Sequence, residues 1–225
     1  MSSAKPPVIA IDGPSASGKG TVARKVADAL TFHFLDSGAL YRLVAVAALD
    51  RGADLDHASD IAAIARNLNI RFAGDAICLG DRDVTNEIRA EHVSGAASKV
   101  AALPAVREAL LERQRAFRQP PGLVADGRDM GSVVFPDATL KIFLTAASEE
   151  RARRRYKQLM EKGLSASMDA LLQEIRSRDA RDSGRAAAPL QKVADAVELD
   201  TTGMSVDAAV AQVLAWYGKK APKVP

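Results

Sequence analysis

Nine residues near the start of the chain, Gly13-Pro14-Ser15-Ala16-Ser17-Gly18-Lys19-Gly20-Thr21, constrain its fold more than any other segment. They follow a short apolar run, Val8-Ile9-Ala10-Ile11. They precede a stretch, 19–30, in which Val22, Val26 and Leu30 share one helical stripe. In a strand–loop–helix arrangement of this kind, successive backbone N–H groups turn inward. With the positive end of the helix dipole they form an anion nest. Lys19 is placed to reach the β- and γ-phosphates of ATP, and Thr21 offers its hydroxyl to Mg²⁺. All of 13–21 are therefore candidate ATP-binding residues. The usual pattern has Ser or Thr directly after the lysine; here Gly20 intervenes.

Beyond the loop, the pattern predicts strands at 32–35, 123–125, 140–144 and 196–199. It predicts helices at 38–49, capped by Asp36-Ser37, and at 61–68, 104–117, 148–162, 167–181 and 205–217. Between 69 and 85, short apolar segments broken by Gly74-Asp75 and Gly80-Asp81 read as a small antiparallel meander. Strands alternating with helices argue for an α/β fold with a parallel sheet. The end of the chain, 219–225, reads as a disordered tail. Cys78 is the only cysteine, and the first seven residues hold no apolar signal core, so a cytoplasmic protein is expected.

Several function classes fall away. A guanine-reading Asn-Lys-x-Asp is not in the sequence. The net charge of +3 is mild. The six Phe, three Tyr and one Trp sit mostly at apolar positions, a poor base for stacking single-stranded RNA. His33, His57 and His92 are scattered, and none is expected to act as a base.

Two features suit phosphoryl transfer. Leu123-Val124-Ala125-Asp126 is an apolar strand ending in a carboxylate, and Asp126 could hold Mg²⁺ through water. The span 151–185 contains eight arginines: Arg151, Arg153, Arg154, Arg155, Arg176, Arg178, Arg181 and Arg185. Arg154 is a candidate for the ATP side. Arg178, Arg181, Asp182 and Arg185 fall at helical spacing and would share one face if the helix continued, although Ser183-Gly184 is expected to loosen it. Cations on a mobile segment can clamp a moving phosphoryl group. A kinase for a sugar or a shikimate-like acid would carry the same loop and arginines.

The sequence resembles the bacterial cytidylate kinases over about 8–217, through four motifs in order. These are the loop 13–21, with its Gly-Lys-Gly-Thr spelling; Asp36-Ser-Gly-Ala-Leu-Tyr-Arg42; Asp126-Gly-Arg-Asp-Met-Gly131 running into Val133-Val-Phe-Pro-Asp137; and Arg178-Asp-Ala-Arg-Asp-Ser-Gly-Arg185 followed by Ala188-Pro-Leu190. The meander resembles the insert that marks this family. The resemblance implies an α/β P-loop kinase with a central parallel sheet flanked by helices, a small antiparallel β insert and a helical lid. One kinase domain would span 5–219, with an acceptor-binding region at about 36–118, a lid at about 151–185 and a tail at 220–225.

It also implies ATP and Mg²⁺ on the donor side, CMP and dCMP as acceptors, and a monomer with no nucleic-acid or membrane partner. Ser37, Tyr41 and Arg42 would line the acceptor site, with Arg42 and Arg128 on phosphate. Ser98, Arg107 and Asp129 would meet cytosine. Arg178 and Asp182 would reach the sugar hydroxyls, and Arg185 the phosphate. Lys19, Arg128, Arg178 and Arg185 would be the catalytic cations. Ser17 departs from the Gly or Ala expected in the loop. Chemistry supports the base assignment: a carboxylate at Asp129 can accept from cytosine N4, while Arg107 donates to N3 or O2. Uracil presents the reverse at N3 and position 4.

Overall fold

The computed structural model describes residues 5–221 except 74, 75, 162 and 164. The expected Gly74-Asp75 turn and the tail residues 222–225 lie outside the described residues. In chain order the elements are β1 (Val8–Asp12), α1 (Lys19–Leu30), β2 (His33–Asp36), α2 (Ser37–Asp50), α3 (Ala58–Arg66), β3 (Ile70–Ala73), β4 (Ala76–Leu79), β5 (Arg82–Asp83), α4 (Glu91–Val100), α5 (Pro104–Arg115), β6 (Leu123–Gly127), β7 (Leu140–Thr145), α6 (Ser148–Glu161), α7 (Met168–Gly184), β8 (Val197–Asp200) and α8 (Val206–Lys220). They form two compact units, one of Met1–Leu35 with Ala116–Pro225, the other Asp36–Arg115.

The first unit is built on a five-stranded sheet in the order β2-β6-β1-β7-β8. β1 pairs in parallel with both β6 and β7, and β7 in parallel with β8. β1 and β6 are buried at every position, which explains why they read as unbroken apolar runs. Ile9, Ile11, Val124, Leu140, Ile142 and Leu144 pack against Val22 and Val26 of α1 and Val213 and Tyr217 of α8. This parallel sheet flanked by helices is the architecture expected from the alternating pattern. The Phe32 ring closes one edge, meeting Tyr217 edge-on at 5.7 Å.

In the second unit α2 packs on α4 and α3 on α5. The meander forms as expected: β3, β4 and β5 make a three-stranded antiparallel sheet, with Ile70 opposite Leu79 and Arg71 opposite Cys78. Asp36 caps α2, its carboxylate accepting from Ala39 N at 3.0 Å.

The largest departures from the sequence reading are a missed helix and two helix ends, while α3 begins three residues earlier than expected, at Ala58. α4 is a full helix where none was expected; its buried Val93, Ala96, Ala97 and Val100 have helical spacing, so the signal was present. α7 continues through Ser183 and Gly184, because the returning chain supplies partners to its last turn: Leu190 N donates to Asp182 O at 2.8 Å. α8 extends to Lys220, two residues into the stretch expected to be disordered.

Candidate active site

The loop after β1 is shaped by close backbone approach. A Cβ on Gly13 would lie 1.9 Å from the Leu144 carbonyl oxygen, so no other residue fits there. Ser17 is buried and donates to Pro14 O at 3.0 Å, so this departure from the expected small residue ties the loop to itself. Gly18, left-handed at φ 88°, caps α1. Lys19 is buried, with Nζ 3.1 Å from Pro14 O and 3.8 Å from the Asp126 carboxylate at the end of β6. The Ser15 hydroxyl is buried with no hydrogen-bond partner among the described residues, leaving a donor for a ligand in the loop.

Gly20 has a reason of its own. A Cβ there would sit 3.0 Å from Asp126 Oδ2, tighter than ordinary packing. The glycine between Lys19 and Thr21 thus makes room for the carboxylate. Mg²⁺ is bound by oxygen and keeps much of its water beside one or two carboxylates and substrate phosphates. Asp126, at the loop, and the exposed Thr21 hydroxyl supply donors of that type. Among the described residues no cluster of three or more His, Cys, Asp or Glu forms a self-sufficient metal cage.

Beyond β6, Arg128 and Asp129 form a bend that leads into one π-helical turn, Met130–Val134. Arg128 Nε donates to Asp182 Oδ2 of α7 at 2.8 Å. Burial opposes the Arg128 charge, but Asp182, Asp126 and Asp12 outweigh it and hold the guanidinium more firmly protonated. Burial likewise opposes the Asp182 charge; Arg128, then Arg178 and Arg185, overcome it and keep the carboxyl below its usual range. Arg185 Nε donates to Ala188 O at 2.6 Å, holding the chain that follows α7. Lys19, Asp126, Arg128, Asp182, Arg178 and Arg185 are therefore one electrostatic group. Arg181 is not on its buried face; it is exposed, beside the buried Asp182.

In the second unit, Arg107 of α5 lies with its guanidinium carbon 5.6 Å from the Tyr41 ring centre of α2, a cation–π distance, and donates to Ala101 O at 3.0 Å. Arg42, next on α2, reaches Ile88 O at 3.4 Å. Ser37 is buried at the start of α2. Ser98 of α4 is buried, and its hydroxyl has no hydrogen-bond partner among the described residues.

Sequence reasoning missed three residues. Asp12, between the apolar run and the loop, accepts from Met130 N and Gly131 N, both at 2.8 Å, and so holds the segment that follows Arg128 and Asp129. Burial pushes its carboxyl up to about 7; the two N–H donors oppose this, and Asp129 and Asp126 add repulsion. Arg151, counted only as one lid cation, is buried against Ser15 O. Thr201, far along the chain, holds its hydroxyl between two acceptors, Ser17 O at 3.2 Å and Thr145 O at 3.0 Å. Arg154 also meets the loop from behind, donating to Ser17 O at 3.0 Å and Thr201 O at 2.6 Å. Arg153 and Arg176 form surface pairs with Glu150 and Glu149.

Amides curled at the end of the central strand, with a buried lysine beside a carboxylate from the neighbouring strand, place the chain among the P-loop phosphotransferases. A solved structure of an uncharacterized protein from Eubacterium ventriosum aligns over 94% of this chain and 98% of its own, with TM-score 0.50 and 14% identity, a likeness of fold alone. The sequence comparisons go further. The family model described as cytidylate kinase matches residues 9–219. Curated cytidylate kinases are similar throughout: from Nitrosomonas eutropha, 60% identical over 94% of each chain; from Bordetella pertussis, 59% over 94% of this chain and 95% of the relative; from Cupriavidus necator, 57% over 96% and 97%. The chain belongs to the cytidylate kinase family, whose members use ATP as co-substrate.

Proposed function

We propose how this chain carries out its family's reaction, transfer of the γ-phosphate of ATP to CMP, with dCMP as a second acceptor. The observation that carries the reading is the single electrostatic group running from Lys19 through Asp126 and Arg128 to Asp182.

The residues 13–21 hold the triphosphate through backbone N–H groups, the Ser15 hydroxyl and Lys19. Mg²⁺, held by Thr21 and Asp126, would neutralise charge on the phosphates. Arg154 steadies the donor loop. Arg42, Arg128 and Arg185 take the acceptor phosphate, Arg178 and Asp182 the sugar, and Ser37 and Tyr41 line the acceptor. Ser98, Arg107 and Asp129 read cytosine; the spare hydroxyl of Ser98 supports this role. Little covalent chemistry is asked of the protein. The transition state spreads charge over the moving group, and Lys19, Arg128, Arg178 and Arg185 stabilise it while holding donor and acceptor in line. The enzyme is read as a cytoplasmic monomer handling free nucleotides, consistent with substrates of that compartment; gel filtration tests the monomer.

ADP release measured with CMP, dCMP, UMP, AMP and shikimate tests the whole reading. CMP and dCMP should be used best, and Lys19→Ala should lower kcat by roughly 10²–10³-fold. Near-normal turnover by Lys19→Ala, or a preference for shikimate, overturns it.

A further inference from the structure

All five N–H donors of Arg151 are engaged. Nε donates to Ala146 O at 2.9 Å; one terminal nitrogen donates to Ser15 O at 3.2 Å and Asp179 Oδ1 at 3.0 Å; the other donates to Ser148 Oγ at 2.9 Å and Asp179 Oδ2 at 2.6 Å. The side chain is only 4% exposed, whereas Asp179 is 26% exposed. One guanidinium at the first turn of α6 thus touches the back of the ATP loop on one side and α7 on the other.

Asp179 directly follows Arg178 and lies three residues before Asp182, so the bidentate bond is made within the stretch of α7 that presents the phosphate-binding cations. Ala152, Leu171 and Ile175 form the buried cluster between α6 and α7, with Ala16 of the loop and the partly buried Tyr156, Leu159, Ala166 and Leu172 packed on it. Apolar packing is non-directional and seats α7 without fixing where each side chain points, whereas a planar two-bond fork is directional. The Ser15 carbonyl faces Arg151, while the Ser15 hydroxyl is buried and left for a ligand, so one residue of the loop meets both.

We propose that Arg151 is a positioning residue that ties the placement of α7 to the ATP-binding loop, so that occupancy of the loop steadies Arg178 and Asp182. It touches no reacting atom; it acts through the Ser15 backbone and Asp179. Two substitutions separate the halves of the tie. Asp179→Asn weakens the α7 bond and leaves the Ser15 bond in place. Arg151→Lys loses the fork and both bonds as a geometry.

Hydrogen exchange of the full chain, with and without a non-hydrolysable ATP analogue, reads the coupling, alongside steady-state kinetics. In the wild type the analogue should slow exchange across 168–184. In Asp179→Asn that slowing should fall by about tenfold, and kcat by about tenfold, with KM for ATP within about twofold. Arg151→Lys should in addition raise KM for ATP by about tenfold, and Asp179→Glu should restore most of the slowing and of kcat. Thermal melts accompany each variant; should Arg151→Lys fail to fold, the more exposed Asp179 variants carry the test. Wild-type slowing of α7 and wild-type kcat in Asp179→Asn overturn the proposal, as does a wild type whose α7 exchange ignores the analogue.

Discussion

Arg128 Nε lies 2.8 Å from Asp182 Oδ2, and the two side chains, 18% and 11% exposed, join the turn after β6 to the last turns of α7. The pair is mostly removed from water, so losing one partner leaves the other charge poorly compensated, a loss of roughly 3–5 kcal/mol for a buried pair. Asp182→Asn should therefore destabilise the protein at neutral pH. The Asp182 carboxyl is held below its unfolded value of 3.8, so its contribution is present above that value and disappears as pH falls through the lower native one. Urea titrations of wild type and Asp182→Asn should converge in that acidic window; a gap that persists below it contradicts the assignment.

Gly20 should resist restoration of the commoner loop spelling. Gly20→Ser places a Cβ 3.0 Å from Asp126 Oδ2, so the carboxylate must move by a few tenths of an ångström. The expected result is a kcat lowered by about tenfold or more with the melting temperature little changed, since displacement at a reacting centre is costlier than on a surface. Equal kcat in the two proteins would mean that the Asp126 position does not matter.

Asp129 and Arg107 should set the choice of base. On the proposed assignment Asp129→Ala removes the acceptor for cytosine N4, so the CMP-to-UMP ratio of kcat/KM should drop by about 10²-fold or more, mostly through loss of CMP. Measuring both substrates with both proteins decides it; an unchanged ratio rules the assignment out.

Asp12 gives a pH dependence of the opposite sign to Asp182. Its carboxyl is raised from 3.8 to about 7, so the native state keeps a proton that the unfolded chain has released. The stabilisation is complete below 3.8 and is lost as pH rises through about 7. Relative to Asp12→Asn, wild-type stability should therefore decline across that interval, by at most about 1.4 kcal/mol per pH unit. Denaturant melts at successive pH values test this, and a flat difference would show that Asp12 is ionised throughout.

The parts of the protein written in local pattern were legible in its residues. The bounds of α1, the buried strands β1, β6 and β7, the antiparallel meander and the glycine-rich loop all follow from periodicity and from the conformations that Gly, Pro and Asp prefer. These are interactions between near neighbours in the chain, so a window of ten residues contains their cause. α4 was missed although its stripe of Val93, Ala96, Ala97 and Val100 has the right spacing; Gly95 and the two serines within it masked the signal.

What only the tertiary structure decided are the meetings between segments far apart. Nothing local marks Asp12; its role appears only when folding brings Met130 N and Gly131 N onto its two oxygens. Thr201 and Arg151 gain their roles from the carbonyls of Ser17 and Ser15. Even Gly20 is explained by Asp126, more than a hundred positions away. Such contacts depend on hydrogen-bond geometry and desolvation at the place where strands converge, and no local preference of the residues encodes them.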